Sequence, residues 1–242
     1  MTANEIKAIK ALGTKKGRDE AGLFVVEGEK MVQEALASDF KVRAVYRRDE
    51  IGEKAMERIS SLSSPSPVLA VVEKPSAGVF APASIPSKGL FLALDTIRDP
   101  GNLGTILRTA DWFGVDGVFA SPGTVDLFNP KVVQATMGAI FRVPYSVCEI
   151  PLLCRRWAEA GGAVCGTFLD GVDFYKADLP LGNDSPVIIV VGNESEGISP
   201  ETAAEVTSRL FIPRFPAERI GSESLNASVA TAITLAEFRR RS

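Results

Sequence analysis

Three separated segments of this 242-residue chain hold the residue types that chemistry needs. The first, LDTIRDPGNLGTILRTADWFGVDGV at 94–118, opens on Asp99-Pro100-Gly101-Asn102, turn chemistry that ends on a natural N-cap at Asn102. Leu103, Ile106, Leu107, Ala110 and Gly114 then recur as one helical stripe, which leaves Arg108 roughly opposite, on the polar face. Spacing alone makes this a capped helix with a solvated arginine, and GNLG lacks the spacing of a triphosphate loop. The second segment, VIIVVGNESEGISPE at 187–201, runs a buried strand into Gly192, Asn193, Glu194, Glu196 and Gly197. Phosphate loops aim backbone amides at anions, and two carboxylates beside them would repel that ligand. The segment suits a phosphate-free, cationic ligand, a description that S-adenosylmethionine meets; its alternative is an exposed polar turn opening a helix at Ser199-Pro200-Glu201. In the third segment, residues 211–241, Leu225, Val229, Ala232, Ile233 and Ala236 mark an amphipathic helix, with Ser224 and Asn226 as candidate N-caps.

The chain has no histidine. That removes Ser-His-Asp and Cys-His nucleophilic catalysis, histidine acid–base work and the usual zinc sites. With no CxxC pair, a transition-metal site is not expected. Chemistry must run on Arg, Lys, Asp, Glu, Ser, Asn or backbone groups, and so on a substrate that is already activated. The three cysteines, Cys148, Cys154 and Cys165, sit in apolar segments and read as reduced, buried thiols. No apolar run reaches the roughly 20 residues of a membrane span, and MTANEIKAIK lacks a secretory signal, so the expectation is a cytoplasmic protein.

The elements that must position these residues follow from apolar patterning. Short runs at Leu23–Val26, Val42–Tyr46 and Val68–Val72 read as strands, with helical patterns at Lys30–Ala37 and Lys54–Leu62. This predicts a small α/β domain over 1–74, and the Pro/Ala/Ser/Gly-rich stretch that follows reads as a linker over 75–89. Beyond it, Leu90–Leu94, Gly117–Ala120, Ala163–Phe168 and Val187–Val191 are apolar without alternation, as strands buried on both faces are. Helical patterns at Leu103–Phe113, Leu152–Ala160 and Asn226–Arg240 interleave with them, which predicts an α/β parallel-sheet domain over 90–242. Ligands of such sheets bind beyond the strands' carboxyl ends, so the loops after Leu94 and Val191 are the ones to read. Net charge is −3, yet Lys7, Lys10, Lys15, Lys16 and Arg18 crowd the first eighteen residues, and Arg239–Arg241 lie near the end. Such patches fit either a nucleic-acid partner that touches part of the surface or simply solvated helix faces.

In order and combination, DPGNLGTILRTADWFGVDGV, VVGNESEGIS and IPR…SLNASVATAI resemble the motifs of the SpoU (TrmH-type) RNA 2'-O-ribose methyltransferases. The resemblance runs nearly continuously over 90–242, including FNPKVVQATMGAIFRVP at 128–144. KKGRDEAGLFVVEGEKMVQEAL is similar to the family's N-terminal substrate-binding domain. The resemblance implies a SPOUT-type fold with a deep trefoil knot, S-adenosylmethionine as cofactor, structured RNA as substrate with ribosomal RNA ahead of tRNA, and a homodimer. It implies Asn102, Arg108, Glu194, Ser224 and Asn226 as the polar catalytic set, with Gly192, Ile212 and Leu225 around the cofactor. Lys15, Lys16, Arg18 and Lys131 are the expected RNA contacts, while Gln134 stands where the family often carries arginine. FPAERIGSE, between Ile212 and Ser224, lengthens the usual spacing. A non-catalytic RNA-binding protein on the same fold and a nucleotide-binding oxidoreductase are the rival readings; the acidic loop and the lack of GxGxxG disfavour the second.

Overall fold

Apolar runs too short for helices become strands, and the longer amphipathic stretches between them become helices. A computed structural model describes residues 1–75, 85–216 and 224–241. The N-terminal part runs α1 (Ala3–Ala11), α2 (Lys15–Ala21), β1 (Leu23–Glu27), α3 (Glu29–Ala37), β2 (Val42–Arg47), α4 (Arg48–Ile51), α5 (Glu53–Ile59) and β3 (Val68–Glu73). It continues with β4 (Gly89–Leu94), α6 (Pro100–Trp112), β5 (Gly117–Ala120), α7 (Pro130–Thr136), β6 (Tyr145–Val147), α8 (Ile150–Glu159) and β7 (Ala163–Phe168). Last come β8 (Val172–Asp173), β9 (Pro186–Val191), α9 (Pro200–Ala203), β10 (Ser208–Phe211) and α10 (Ala227–Arg241). Most of the expected linker, residues 76–84, lies outside the described residues, as do 217–223 of the extended stretch before Ser224.

The chain groups into two compact units, the first drawn from Met1–Ala77, Leu103–Arg108 and Asp126–Arg142, the second from Gly78–Asn102, Thr109–Val125 and Val143–Ser242. In the first, β1, β3 and β2 form an antiparallel sheet with β3 at its centre. Ile6, Ile9 and Leu12 from the N-terminal helical region pack with Val25, Met56, Ile59, Leu69 and Val71 into its core. Aromatic pairs draw later segments into this unit: Phe24 meets Phe128 at 4.8 Å and Phe40 meets Phe141 at 5.1 Å between ring centroids. Arg18 is only 2% exposed; its guanidinium donates to Asp126 Oδ2 at 2.6 and 3.0 Å and to the Leu12 carbonyl at 2.9 Å.

The second unit is built on a seven-stranded parallel sheet in the order β6-β5-β4-β9-β7-β10-β8. Its central strand β9 is buried at every residue, as a strand covered on both faces must be. Phe91, Phe119, Ile188 and Val190 pack with Leu153, Cys154 and Trp157 of α8 into one core, and the Trp157 indole donates to the Pro186 carbonyl at 3.1 Å. The three cysteines are free. Burial pushes the Cys154 and Cys165 thiols up to about 12 and the half-buried Cys148 thiol up to about 11. Among the described residues no helix is long and apolar enough to cross a membrane, and no cluster of three potential metal ligands occurs.

Two local expectations change. The N-cap of α6 is Asp99, whose carboxylate accepts from the Asn102 amide at 2.8 Å; Pro100 begins the helix and Asn102 lies inside it. Proline at the first helical position needs no donor partner, so helix formation starts three residues early. Gly114 is not part of the buried stripe: it is exposed, at φ 58°, in the left-handed conformation that ends helices.

Candidate functional site

Strands β4, β9, β7 and β10 run parallel, so their carboxyl ends open on one edge of the sheet. A cleft of about 660 Å³ lies there. Its walls come from the chain after β7 (Phe168, Leu169, Asp170), after β9 (Gly192–Ile198), after β10 (Ile212–Arg214) and from the start of α10 (Ser224, Leu225, Ala227, Ala230). A cleft of this size holds a ligand as large as a nucleoside conjugate.

The loop after β9 is tightly folded. Asn193 and Gly197 exchange backbone hydrogen bonds at 2.9 and 2.8 Å. The Asn193 side-chain oxygen accepts from the amides of Ser195 (2.9 Å) and Glu196 (3.2 Å), while its Nδ2 donates to the Thr96 carbonyl at 2.9 Å. A Cβ on residue 192 would lie 2.2 Å from the Gly197 carbonyl carbon, so only glycine fits there. The loop's acids face different partners. Glu196 receives a bidentate pair from Arg98 at 3.1 Å on each oxygen.

Glu194 is the centre of a polar cluster. Its Oε1 accepts from Asn102 Nδ2 at 2.6 Å, from Asn226 Nδ2 at 2.6 Å and from the Ala227 amide at 3.3 Å. Asn226 Nδ2 also reaches Asn102 Oδ1 at 2.9 Å, which closes a triangle of the three side chains. Asn226 meanwhile does the capping work that its residue type suggests: its Oδ1 accepts from the amides of Ser228 (3.0 Å) and Val229 (3.3 Å). The carboxylate therefore sits at the amino end of a 15-residue helix, where the helix dipole favours negative charge. Residues that are 92 and 32 positions apart from Glu194 in sequence meet on one oxygen atom.

The other expected site residues fall into three groups. Gly192, Ile212, Ser224 and Leu225 line the cleft. Arg108 is on α6, six residues beyond Asn102, exposed and in no ion pair among the described residues; it is not one of the lining residues. Lys131 is exposed at the start of α7, and Lys15 and Lys16 are exposed and pair at i,i+4 with Asp19 at 2.7 Å and Glu20 at 3.8 Å. Arg18 is the exception: it is buried and fully paired, so it has no surface to offer an RNA phosphate. Counting charge along a segment does not reveal which side chain turns inward.

The spacing also gave no sign of the bracket under the loops. Asp95, 5% exposed, immediately follows β4 and accepts from the amide and hydroxyl of Ser199 at 2.9 and 2.6 Å. An acid directly after a buried strand was the available signal. A cleft with the Glu194 carboxylate on its wall fits a cationic ligand such as a sulfonium.

Known proteins resemble this chain in sequence and in fold. The sequence model of the SpoU rRNA Methylase family matches residues 89–236, and that of the MRM3-like substrate binding domain matches residues 3–74. The chain is 30% identical to RlmP of Bacillus subtilis, named a 23S rRNA guanosine 2'-O-methyltransferase, over 97% of this chain and 96% of that one. A TrmH-family structure from Porphyromonas gingivalis superposes with a TM-score of 0.86 at 39% identity, covering 100% of this chain and 99% of the other. An AdoMet-bound rRNA methyltransferase from Sinorhizobium meliloti does so with a TM-score of 0.85 at 33% identity, covering 100% and 96%.

Proposed function

The chain belongs to the SpoU rRNA methylase family, and from that premise we propose that it transfers a methyl group from S-adenosylmethionine to a ribose 2'-hydroxyl of ribosomal RNA. The observation that carries this reading is the Glu194 cluster, in which two asparagine amides and a helix terminus converge on one carboxylate at the cleft wall. Gly192, Ile212 and Leu225 hold the cofactor, largely through backbone groups, and Glu194 sets a negative field that suits a sulfonium, the charge of Glu196 being met by Arg98. The bound cofactor supplies a methyl group already activated on positive sulfur. What the protein must add is alignment and proximity, which suits a chain without histidine.

Arg108 does not serve as a base, because a guanidinium pKa above about 12 leaves it protonated. It clamps a substrate phosphate and orients the 2'-hydroxyl, whose proton passes to a phosphate oxygen or to water. Asn102, Ser224 and Asn226 fix the geometry around Glu194. Residues 1–74 act as the RNA-reading domain and 90–242 as the catalytic one, joined through 75–89; Lys15, Lys16 and Lys131 contribute salt-sensitive phosphate contacts. A homodimer belongs to this reading, with Trp112 of α6, 84% exposed, as the apolar side chain it would cover. The trefoil knot belongs to the same reading, as does a cytoplasmic location beside the ribosome.

The test is incubation with labelled S-adenosylmethionine and ribosomal RNA lacking its modifications, followed by mapping of the labelled nucleotide. Label on one ribose 2'-oxygen is expected, and Arg108→Ala is expected to abolish it while cofactor affinity stays unchanged. Near-normal methylation by Arg108→Ala would overturn the clamp. Label only in tRNA would shift the substrate, and cofactor binding with no label in either RNA would favour a binding protein on this fold.

A further inference from the structure

Asp95 is buried and touches neither the cleft nor the Glu194 cluster, yet it grips the loop that carries Glu194. Its backbone amide extends the β4–β9 ladder by donating to the Val191 carbonyl at 2.9 Å. One carboxylate oxygen takes both Ser199 donors at 2.9 and 2.6 Å; the other takes the Thr96 hydroxyl at 3.2 Å. Thr96, next in sequence, holds the opposite end of the same loop, because its carbonyl accepts from Asn193 Nδ2 at 2.9 Å. It does so from φ 63°, a conformation costly for a β-branched residue that persists only where the surroundings impose it. The Thr96 amide is itself fixed by Ser121 Oγ at 2.8 Å.

The dipeptide Asp95-Thr96 thus forms a bracket. It pins residue 193 on one side and residue 199 on the other, and Glu194 lies on the short span between them. We propose that Asp95 is a positioning residue for the methyl transfer, acting through Ser199 to hold Glu194 where Asn102 and Asn226 meet it. This rests on the proposed function for its catalytic readout, though not for its structural one. If Asp95 only steadied Ser199, the N-cap of the four-residue α9, its removal would loosen that turn and leave the neighbouring loop and the chemistry unchanged.

The two roles separate experimentally. Amide hydrogen exchange of the full chain without ligand reads the loop directly, at Ser195, Glu196 and Gly197, whose amides are bonded to Asn193. Asp95→Ala is expected to speed exchange at these three amides, and Asp95→Asn to restore protection, since its amide oxygen can still accept from Ser199 while its NH2 faces the Thr96 hydroxyl. On methylation, Asp95→Ala is expected to lower kcat about 100-fold, the order of loss that a misplacement near 1 Å causes, with Asp95→Asn recovering most of it. In a Glu194→Gln background the Asp95→Ala loss should vanish, which a general structural defect would not produce. Should Asp95→Ala fail to fold, Ser199→Ala, which removes one of the two donors, takes its place with the same expected directions. Unchanged exchange in a folded Asp95→Ala chain overturns the proposal, as does Asp95→Asn behaving like Asp95→Ala. Wild-type protein that transfers no methyl group counts against the proposed function alone, because the exchange comparison still decides for or against the bracket.

Discussion

At Gly192 the backbone leaves β9 and passes so close to Gly197 that an alanine Cβ would sit 2.2 Å from a backbone carbon and 2.3 Å from the Ile198 nitrogen. Neither atom can step aside without moving the loop that bears Glu194. Gly192→Ala is therefore expected to weaken S-adenosylmethionine binding by at least about tenfold while the sheet stays folded, as calorimetry and circular dichroism together would show. Arg18 teaches the opposite lesson about a charged side chain. It has 2% exposure against 16% for its partner Asp126, and removing one member of a buried pair strands the other. Arg18→Ala should cost about 3 kcal/mol of stability in urea, whereas Lys15→Gln and Lys16→Gln, on the exposed face of the same helix, should change stability within about 0.5 kcal/mol.

Among elements, the ones legible in the sequence are those whose signal is local. β4, β5, β7 and β9 announce themselves as unbroken apolar runs, and α10 by its stripe. β6 and β8, with three and two residues, are too short to carry a pattern, and β10, SRLF, opens on a serine and an arginine that break the apolar run; these strands exist because a neighbouring strand offers them a ladder. The same divide runs through the site. Asn102, Glu194 and Asn226 follow from motifs read in order, but the Asp95–Ser199 contact joins residues 104 positions apart, and no spacing rule reaches that far. At the end of α10, Glu237 receives Arg240 at 2.6 Å and Arg241 at 2.7 Å, and Arg241 goes on to donate to the carbonyls of Ala177 (2.6 Å) and Tyr175 (2.7 Å). The hydrogen bond from Arg240 is the main cause that lowers the Glu237 carboxyl from its ordinary 4.5 to about 2. A depressed acid contributes fully above its unfolded value, so this anchor is intact above about pH 4.5 and is lost as pH falls toward 2. Acid titration followed by circular dichroism should show the wild-type chain losing stability across that window, and Glu237→Gln losing less there.

For the molecule as a whole, the proposed homodimer would cover the exposed indole of Trp112: the unsubstituted chain is expected to sediment as a dimer and Trp112→Glu as a monomer. The cysteines carry a different consequence. Cys154 in α8 and Cys165 in β7 are 0% exposed, with thiols raised to about 12, so in the closed sheet neither yields a thiolate for an alkylating reagent. Their labelling must wait for the sheet to open. Cys148, half-buried on the way into α8, should react first and separately. The delay between that early modification and the later pair is a built-in clock for the opening of the parallel sheet, readable by mass spectrometry with no reporter added. Saturating S-adenosylmethionine should slow only the late phase, because a ligand that binds the closed form alone draws the population away from the open one.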